Sequence, residues 1–170
     1  MFCILITGRT VSPAVVKQIY FDKDLDKSII YEVCLSLDEW ELTTKDEVYF
    51  SEKRLISYDE YMSISSDNSI FFRELNSTDE LTLSMNALKN NTLAFYYNGK
   101  HKQIVFVKDS LNEQQTDIRP IILHEVGHSL GLTHDLQFNT IMYRSISHIS
   151  KGITQNDVDQ FCSVNRCYWK

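Results

Sequence analysis

The hydrophobic positions in the first half of the chain predict one helix and three strands. Apolar residues recur every three to four positions from Leu25 to Trp40, which predicts an amphipathic helix buried on one side. Segments rich in β-branched and aromatic residues predict strands at 14–21, 47–51 and 69–75. The polar stretch 52–68 is expected to be a surface loop. Segment 76–91 has mixed spacing and is interpreted as a loop that can contain a short element.

The second half begins with a strong hairpin signal. Two apolar segments, 92–97 and 102–107, flank the dipeptide Asn98-Gly99. Asn-Gly favours a tight turn whose twist matches that of two antiparallel strands. We therefore predict that these segments pair directly with each other.

Two helices are predicted after the hairpin. The first is capped by Thr116 or Asp117, tolerates Pro120 in its first turn and ends near Gly131. The second is capped within 154–157 and carries a short apolar pattern. Both patterns follow the usual chemistry of helix starts and stops.

Composition and charge exclude several classes of protein. The 170 residues suit one domain, and 43% apolar with 24% charged residues is typical of globular proteins. A net charge of −6 without a dense Lys/Arg cluster argues against nucleic acid or an anionic membrane as main partner. No apolar run approaches the roughly 20 residues of a transmembrane segment. The apolar start, 2–7, is shorter than a usual signal core, and we interpret it as a strand.

The four cysteines leave the redox compartment open. Cys162 and Cys167 are close enough for a local disulfide, which the sequence neither requires nor excludes. Cys34 falls in the apolar pattern of the first helix and is expected to be a small core residue. Cys3 has no evident partner. None of the four has the spacing of a metal ligand.

Candidate chemistry is concentrated in one segment. His124 and His128 are four residues apart, so on a helix both imidazoles lie on one face and can reach one zinc ion. Glu125 lies beside them as a candidate general base. Gly131 can end the helix and turn the chain so that His134 becomes a third ligand. Three protein ligands leave the open position that a catalytic zinc site needs.

This segment, His-Glu-Val-Gly-His-Ser-Leu-Gly-Leu-Thr-His at 124–134, is followed eight positions later by Met142. The pattern resembles the metzincin zinc endopeptidases, most of all the catalytic domain of the matrixins, whereas Asp135 is similar to the adamalysins. The resemblance implies an α+β fold: a twisted mixed sheet of about five strands with an antiparallel edge strand, a backing helix and an active-site helix. It also implies one catalytic domain over 1–170, divided into subdomains at 1–131 and 132–170, the second containing the methionine turn and final helix.

The resemblance also assigns roles to residues. Peptide bonds of proteins or peptides would be hydrolysed by a zinc-activated water, with Glu125 as general base and Met142 as a floor that does not bind the metal. The expected ligands of the single zinc ion are His124, His128 and His134. The Asp- and His-rich loop with which matrixins hold further ions is missing before the hairpin, so obligatory calcium is not expected.

In this family the substrate binds as an extended strand, which here would pair with segment 92–97. The candidate substrate contacts are Ala94, Phe95, Tyr96 and, in the specificity pocket, Tyr143; the aromatic residues of the strand could equally pack the sheet. We expect a monomer, and the resemblance favours an extracellular location. Two alternatives remain open: a zinc-binding module that acts as inhibitor or adaptor without turnover, and a structural protein without metal.

Overall fold

The computed structural model of the protein describes residues 12–85, 92–113, 117–145 and 149–167. The strand expected at 2–7 and the cysteine at position 3 lie outside these residues. In chain order the elements are β1 Val15–Asp22, α1 Lys27–Thr43, β2 Val48–Ile56, α2 Tyr58–Ile64, β3 Ser69–Leu75, α3 Glu80–Ser84, β4 Ala94–Tyr97, β5 Gln103–Val107, α4 Lys108–Glu113, α5 Arg119–Ser129 and α6 Gln155–Asn165.

The strands form one five-stranded mixed sheet in the order β2-β1-β3-β5-β4. Strand β1 is parallel to β2 and β3, and β3 is parallel to β5. Strand β4 runs antiparallel to β5, with Ala94 opposite Phe106 and Tyr97 opposite Gln103. The predicted α+β fold with an antiparallel edge strand is therefore confirmed, and the edge is the strand that lies beside the site.

The two faces of the sheet bury different clusters because successive side chains along a strand point to opposite faces. Ile70 and Phe72 lie in the main core with apolar residues of α1 and α5, whereas Phe71 packs with Tyr61 of α2 on the other face. Helices α1 and α5 thus lie on the same face. The backing helix supports the helix that carries the histidines.

The structure differs from the sequence expectations in the polar stretch after the second strand. Strand β2 continues to Ile56, and the expected loop contains helix α2, whose N-cap Ser57 accepts a hydrogen bond from the Glu60 amide at 3.3 Å. Helix α2 buries only Tyr61. One buried position in seven residues leaves no periodic pattern, which explains why the sequence indicated a loop.

The start of α5 also differs in detail from the prediction. Its N-cap is Ile118, which makes no side-chain capping bond. The Asp117 carboxylate instead accepts from the Arg119 amide at 3.1 Å, and Pro120 lies in the first turn as expected. The alternative cap at position 116 lies outside the described residues. Thr154 caps α6 in a full capping box with Asp157.

The cysteines of the described residues are disulfide-bonded, which the sequence alone did not establish. Cys162 and Cys167 form a disulfide at the end of α6. Cys34 packs against the main core but is disulfide-bonded, so the expectation of a simple core residue is wrong. Within the part of the chain that the structure describes, no helix is long and apolar enough to cross a membrane.

Candidate metal centre

Helix α5 and the turn that ends it bring three imidazoles together. Buried residues on the core side of α5 leave His124 and His128 on its open side. At the end of the helix the Leu132 amide donates to the Gly127 carbonyl at 3.1 Å, and the Gly131 amide donates to the His128 carbonyl at 3.0 Å. This pair of bonds is a Schellman motif, and Gly131 takes the left-handed φ of +92° that the motif requires.

The Nε2 atoms of the three histidines form a nearly equilateral triangle. The separation is 3.1 Å between His124 and His128, and 3.2 Å from each of them to His134. Two nitrogens bound at about 2.0–2.1 Å to one tetrahedral zinc ion are about 3.3 Å apart. The observed spacing therefore fits a shared zinc ion.

The partners of the other ring nitrogens support the same conclusion. His124 Nδ1 lies 2.7 Å from the carbonyl oxygen of Ile141, and His128 Nδ1 lies 3.0 Å from that of Leu132. A carbonyl oxygen only accepts, so each Nδ1 carries the proton and each Nε2 presents a lone pair to the centre. Two lone pairs facing each other at 3.1 Å repel unless a cation lies between them. The donor set is thus arranged for a metal ion.

Burial keeps the imidazoles of His124 and His128 neutral, which is the form that binds metal. Desolvation is the main cause that lowers the pKa of His124 to about 4, with a further contribution from the charge of His128. Desolvation likewise lowers the pKa of His128. Neither ring needs to lose a proton near neutral pH before it can act as a ligand.

The Glu125 side chain lies between its own helix α5 and the edge strand β4, and the residue is only 7% exposed. Burial raises the pKa of its carboxyl to about 8, and a hydrogen bond from the backbone N–H of Tyr96 acts in the opposite direction. The carboxyl is therefore buried beside the histidines and hydrogen-bonded to the edge strand.

A cavity of about 440 Å³ opens beside the histidines. His124, Glu125 and His134 line it together with the substrate candidates Ala94 and Tyr143. The other lining residues come from the segment 92–97 that is expected to pair with substrate, from α5, and from the segment after Tyr143, where the pocket wall is expected: Thr92, Leu93, Ile121, Arg144, Ser145 and Ile149.

The structure does not bring the other two substrate candidates into this cavity. Phe95 points to the opposite face of the sheet, where it packs with Val105 and Val107. The Tyr96 side chain packs against the main core, and its backbone N–H donates to the Glu125 carboxyl. Alternation along β4 explains the result for Phe95, since its side chain points to the face of the sheet opposite that of Ala94.

Met142 is fully buried and packs against α5 at Gly127. A Cβ built on Gly127 would lie 2.4 Å from the Met142 sulfur, so helix and methionine are in close contact. The buried Asp157 carboxylate accepts from the amides of Ile141 and Met142 at 3.1 and 3.2 Å. In the sequence Asp157 shows only the pattern of a helix cap, and nothing there indicates this second role.

Comparison with known proteins agrees with the geometry. The matrixin peptidase family model matches residues 36–168. The chain belongs to the matrixin family. A protein of Trichoplusia ni ascovirus 2c, named "Putative matrix metalloproteinase", is 33% identical over 75 residues, which cover 44% of this chain and 13% of that protein.

A solved structure shows the same fold. The crystal structure of archaemetzincin from Methanopyrus kandleri matches with a TM-score of 0.52 at 14% identity, covering 93% of this chain and 99% of that one. The predicted resemblance to metzincins and matrixins is thus confirmed. As a matrixin, the chain is a member of a zinc metallopeptidase family, and its three-histidine group could hold the metal that membership implies.

Proposed function

We propose that this matrixin is a zinc-dependent endopeptidase that hydrolyses peptide bonds of proteins or peptides, with Glu125 as general base. The observation that carries the proposal is the convergence of three Nε2 atoms within 3.1–3.2 Å beside a buried carboxyl that lines the same cavity. Neither a bare metal-storage site nor a structural histidine cluster requires that carboxyl.

In this proposal His124, His128 and His134 hold one zinc ion. Met142 supports the helix and turn that carry the histidines and does not bind zinc. When bound, zinc supplies Lewis-acid polarisation of the scissile carbonyl and lowers the pKa of a water molecule. Glu125 accepts the proton of the attacking water and then donates it to the departing amine nitrogen.

The edge strand β4 supplies the proposed peptide-binding surface. The Val107 amide donates to the Leu93 carbonyl at 2.9 Å, so the hydrogen-bonded pairs of the hairpin continue at Phe95 and Tyr97. The backbone groups of Ala94 and the carbonyl of Tyr96 consequently point away from β5, toward the open edge, whereas the Tyr96 N–H is engaged by Glu125. An extended peptide can add there as a further strand, and its side chains then alternate between the cavity and solvent.

The test compares wild-type protein with Glu125→Gln on a proteome-derived peptide library, with and without a chelator. The amide keeps the shape of the carboxyl but cannot act as a base. We expect kcat to fall by about 10²- to 10⁴-fold while the zinc content, measured by atomic emission, stays near one per chain. Asp59→Asn, which changes an exposed carboxyl of α2, is the matched control and should keep full activity.

Two results would contradict the proposal. Full activity of Glu125→Gln with zinc retained would remove the general-base role. Stoichiometric zinc without cleavage of any library peptide by the wild-type protein would favour the inhibitor or adaptor function instead.

A further inference from the structure

The loop between the third histidine and the methionine turn exposes two large apolar side chains. Leu136 is 78% exposed and Phe138 is 59% exposed. Exposed single apolar residues are common on protein surfaces, but two in three positions beside a candidate active site are informative. We call this pair the apolar lip.

The loop that carries the lip is held by several hydrogen bonds. The Asp135 amide donates to the Met142 carbonyl at 2.8 Å, and the Asp135 carboxylate accepts from the Gln137 amide at 2.9 Å. The Thr140 hydroxyl donates to the Gln137 carbonyl at 3.0 Å. Asn139, between Phe138 and Thr140, takes a left-handed φ of +62°, which sharpens the turn of the loop. The side chains are therefore presented on a defined backbone.

The lip continues directly into the cavity. The ring of Phe138 stacks on that of Tyr143, with centroids 4.8 Å apart and an interplanar angle of 29°. Tyr143 lines the cavity together with His134 and Glu125. Apolar contact thus extends from the cavity through the Tyr143 ring to Phe138, and the exposed Leu136 lies two positions before Phe138 on the same loop.

We propose that Leu136 and Phe138 form a substrate subsite that binds an aliphatic or aromatic side chain of the extended peptide, a few residues from the cleaved bond. The inference deepens the proposed function and rests on it. The occupant is argued from the continuity of the lip with the cavity, because a peptide lying in the cleft must pass its edge.

Other occupants fit the observations less well. Two side chains cannot supply the about 800 Å² per partner that a stable protein–protein interface buries, which disfavours a second copy of the chain. The net charge of −6 opposes binding to an anionic lipid surface. A single apolar side chain of a peptide matches the size of the lip.

The experiment uses the double variant Leu136→Ser/Phe138→Ser in the full chain loaded with zinc. Cleavage is profiled on a library in which each position on either side of the cut is varied in turn. We expect the wild-type protein to prefer apolar residues at one position near the cut. In the variant kcat/KM for those peptides should fall by about 10- to 100-fold, while peptides with Ala at that position change less than about twofold.

Two further variants separate recognition from folding. Phe138→Tyr keeps the aromatic ring and should retain the preference. Leu42→Ser/Leu55→Ser removes two other exposed apolar side chains, 80% and 61% exposed, and should leave the profile unchanged. A uniform loss of kcat/KM on all peptides in the lip variant would overturn the proposal, since it would indicate a framework role. An unchanged profile would overturn it as well.

Binding measurements keep this test distinct from that of the proposed function. Anisotropy of labelled library peptides is measured with zinc-loaded Glu125→Gln, with and without the lip substitutions. Apolar-selective binding that the lip substitutions abolish supports the subsite even where the wild-type protein cleaves nothing, in which case only the endopeptidase assignment fails. A lip-dependent dimer in sedimentation, or lip-dependent binding to phosphatidylcholine vesicles, without an effect on peptides would assign the lip to that partner and overturn the proposal.

Discussion

The indole of Trp40 donates its Nε1–H to the carbonyl oxygen of Leu123 at 3.1 Å, one residue before the first histidine of the metal centre. Trp40 is fully buried, and it lies on α1, 83 positions earlier in the chain. The backing helix therefore contacts the backbone of α5 at the point where the ligands begin, in addition to packing against its side chains.

We predict that Trp40→Phe lowers the free energy of unfolding by about 1–3 kcal/mol, because the variant loses a buried hydrogen bond and part of a large side chain. Thermal unfolding of the zinc-loaded and zinc-free forms measures this loss, and zinc affinity should fall as well, since Leu123 precedes a ligand. Tyr31→Phe, an exposed aromatic position of the same helix, is the control. Equal effects of the two substitutions would contradict the role given to Trp40.

The parts of the site that the sequence could predict are those governed by local geometry. The spacing of His124 and His128 sets their common face, and Gly131 indicates the turn that returns His134. The pairing of the hairpin strands was equally predictable, but their connection is the loop 98–102 and not the tight turn that Asn98-Gly99 favours, since Tyr97 pairs with Gln103 and neither Asn98 nor Gly99 takes a positive φ. In each case the decisive contacts lie within about ten residues of one another.

Features that depend on distant contacts could not be predicted in the same way. Tyr61 is buried by strands that lie elsewhere in the sequence, so α2 shows no apolar period. Asp157 follows Thr154 in the pattern of a local cap, which hides its bonds to Ile141 and Met142. The orientation of Phe95 could have been anticipated, because alternation along a strand directs its side chain to the face of the sheet that Ala94 does not face.

Gly127 is predicted to tolerate no side chain. In an ordinary helix interior Gly→Ala stabilises by about 1 kcal/mol. In α5 the added Cβ would meet the Met142 sulfur at 2.4 Å and the Trp40 ring at 3.4 Å, both buried. Gly127→Ala should therefore destabilise the protein by about 1–3 kcal/mol in denaturant titrations and reduce activity by displacing the methionine turn.

A double-mutant cycle checks the cause of that effect. Met142→Ala removes the clashing sulfur, so Gly127→Ala combined with Met142→Ala should be less destabilised than the sum of the two single variants. Strict additivity would show that the added methyl group does not act through Met142.

Asp157 is predicted to hold the methionine turn against α6. Its buried carboxylate accepts from the amides of Ile141 and Met142, and from the amide and hydroxyl of Thr154 at 2.8 and 2.6 Å. In Asp157→Asn an NH₂ group replaces one acceptor and faces donors. We expect a loss of about 1.5–3 kcal/mol in thermal or denaturant unfolding, against little change in Asp159→Asn at an exposed position of the same helix. Equal stability of the two variants would contradict this role.

The zinc-free protein should lose stability as the pH falls from 6.5 toward 4, because of the buried histidines. Desolvation lowers the pKa of His124 from 6.5 to about 4 in the folded state. Between these values the unfolded chain binds a proton at His124 that the folded chain does not, so acid favours unfolding. The contribution is fully present above pH 6.5 and is lost as the pH falls through the folded pKa; His128 acts in the same direction.

Glu125 opposes this trend in the zinc-free protein, so the measurement needs a reference that keeps it. Burial raises the pKa of Glu125 from 4.5 to about 8; its contribution is therefore present below pH 4.5 and is lost as the pH rises toward 8. Denaturant unfolding of chelated wild-type protein and of chelated His124→Gln, at several pH values between 7.5 and 4.5, cancels this effect because both proteins retain Glu125. The wild-type protein should lose more stability than the variant across that range, since only the wild type has a buried neutral imidazole at position 124. Parallel pH profiles would show that burial of His124 does not disfavour its protonation. They would contradict the inference that burial keeps this imidazole neutral before a metal ion binds.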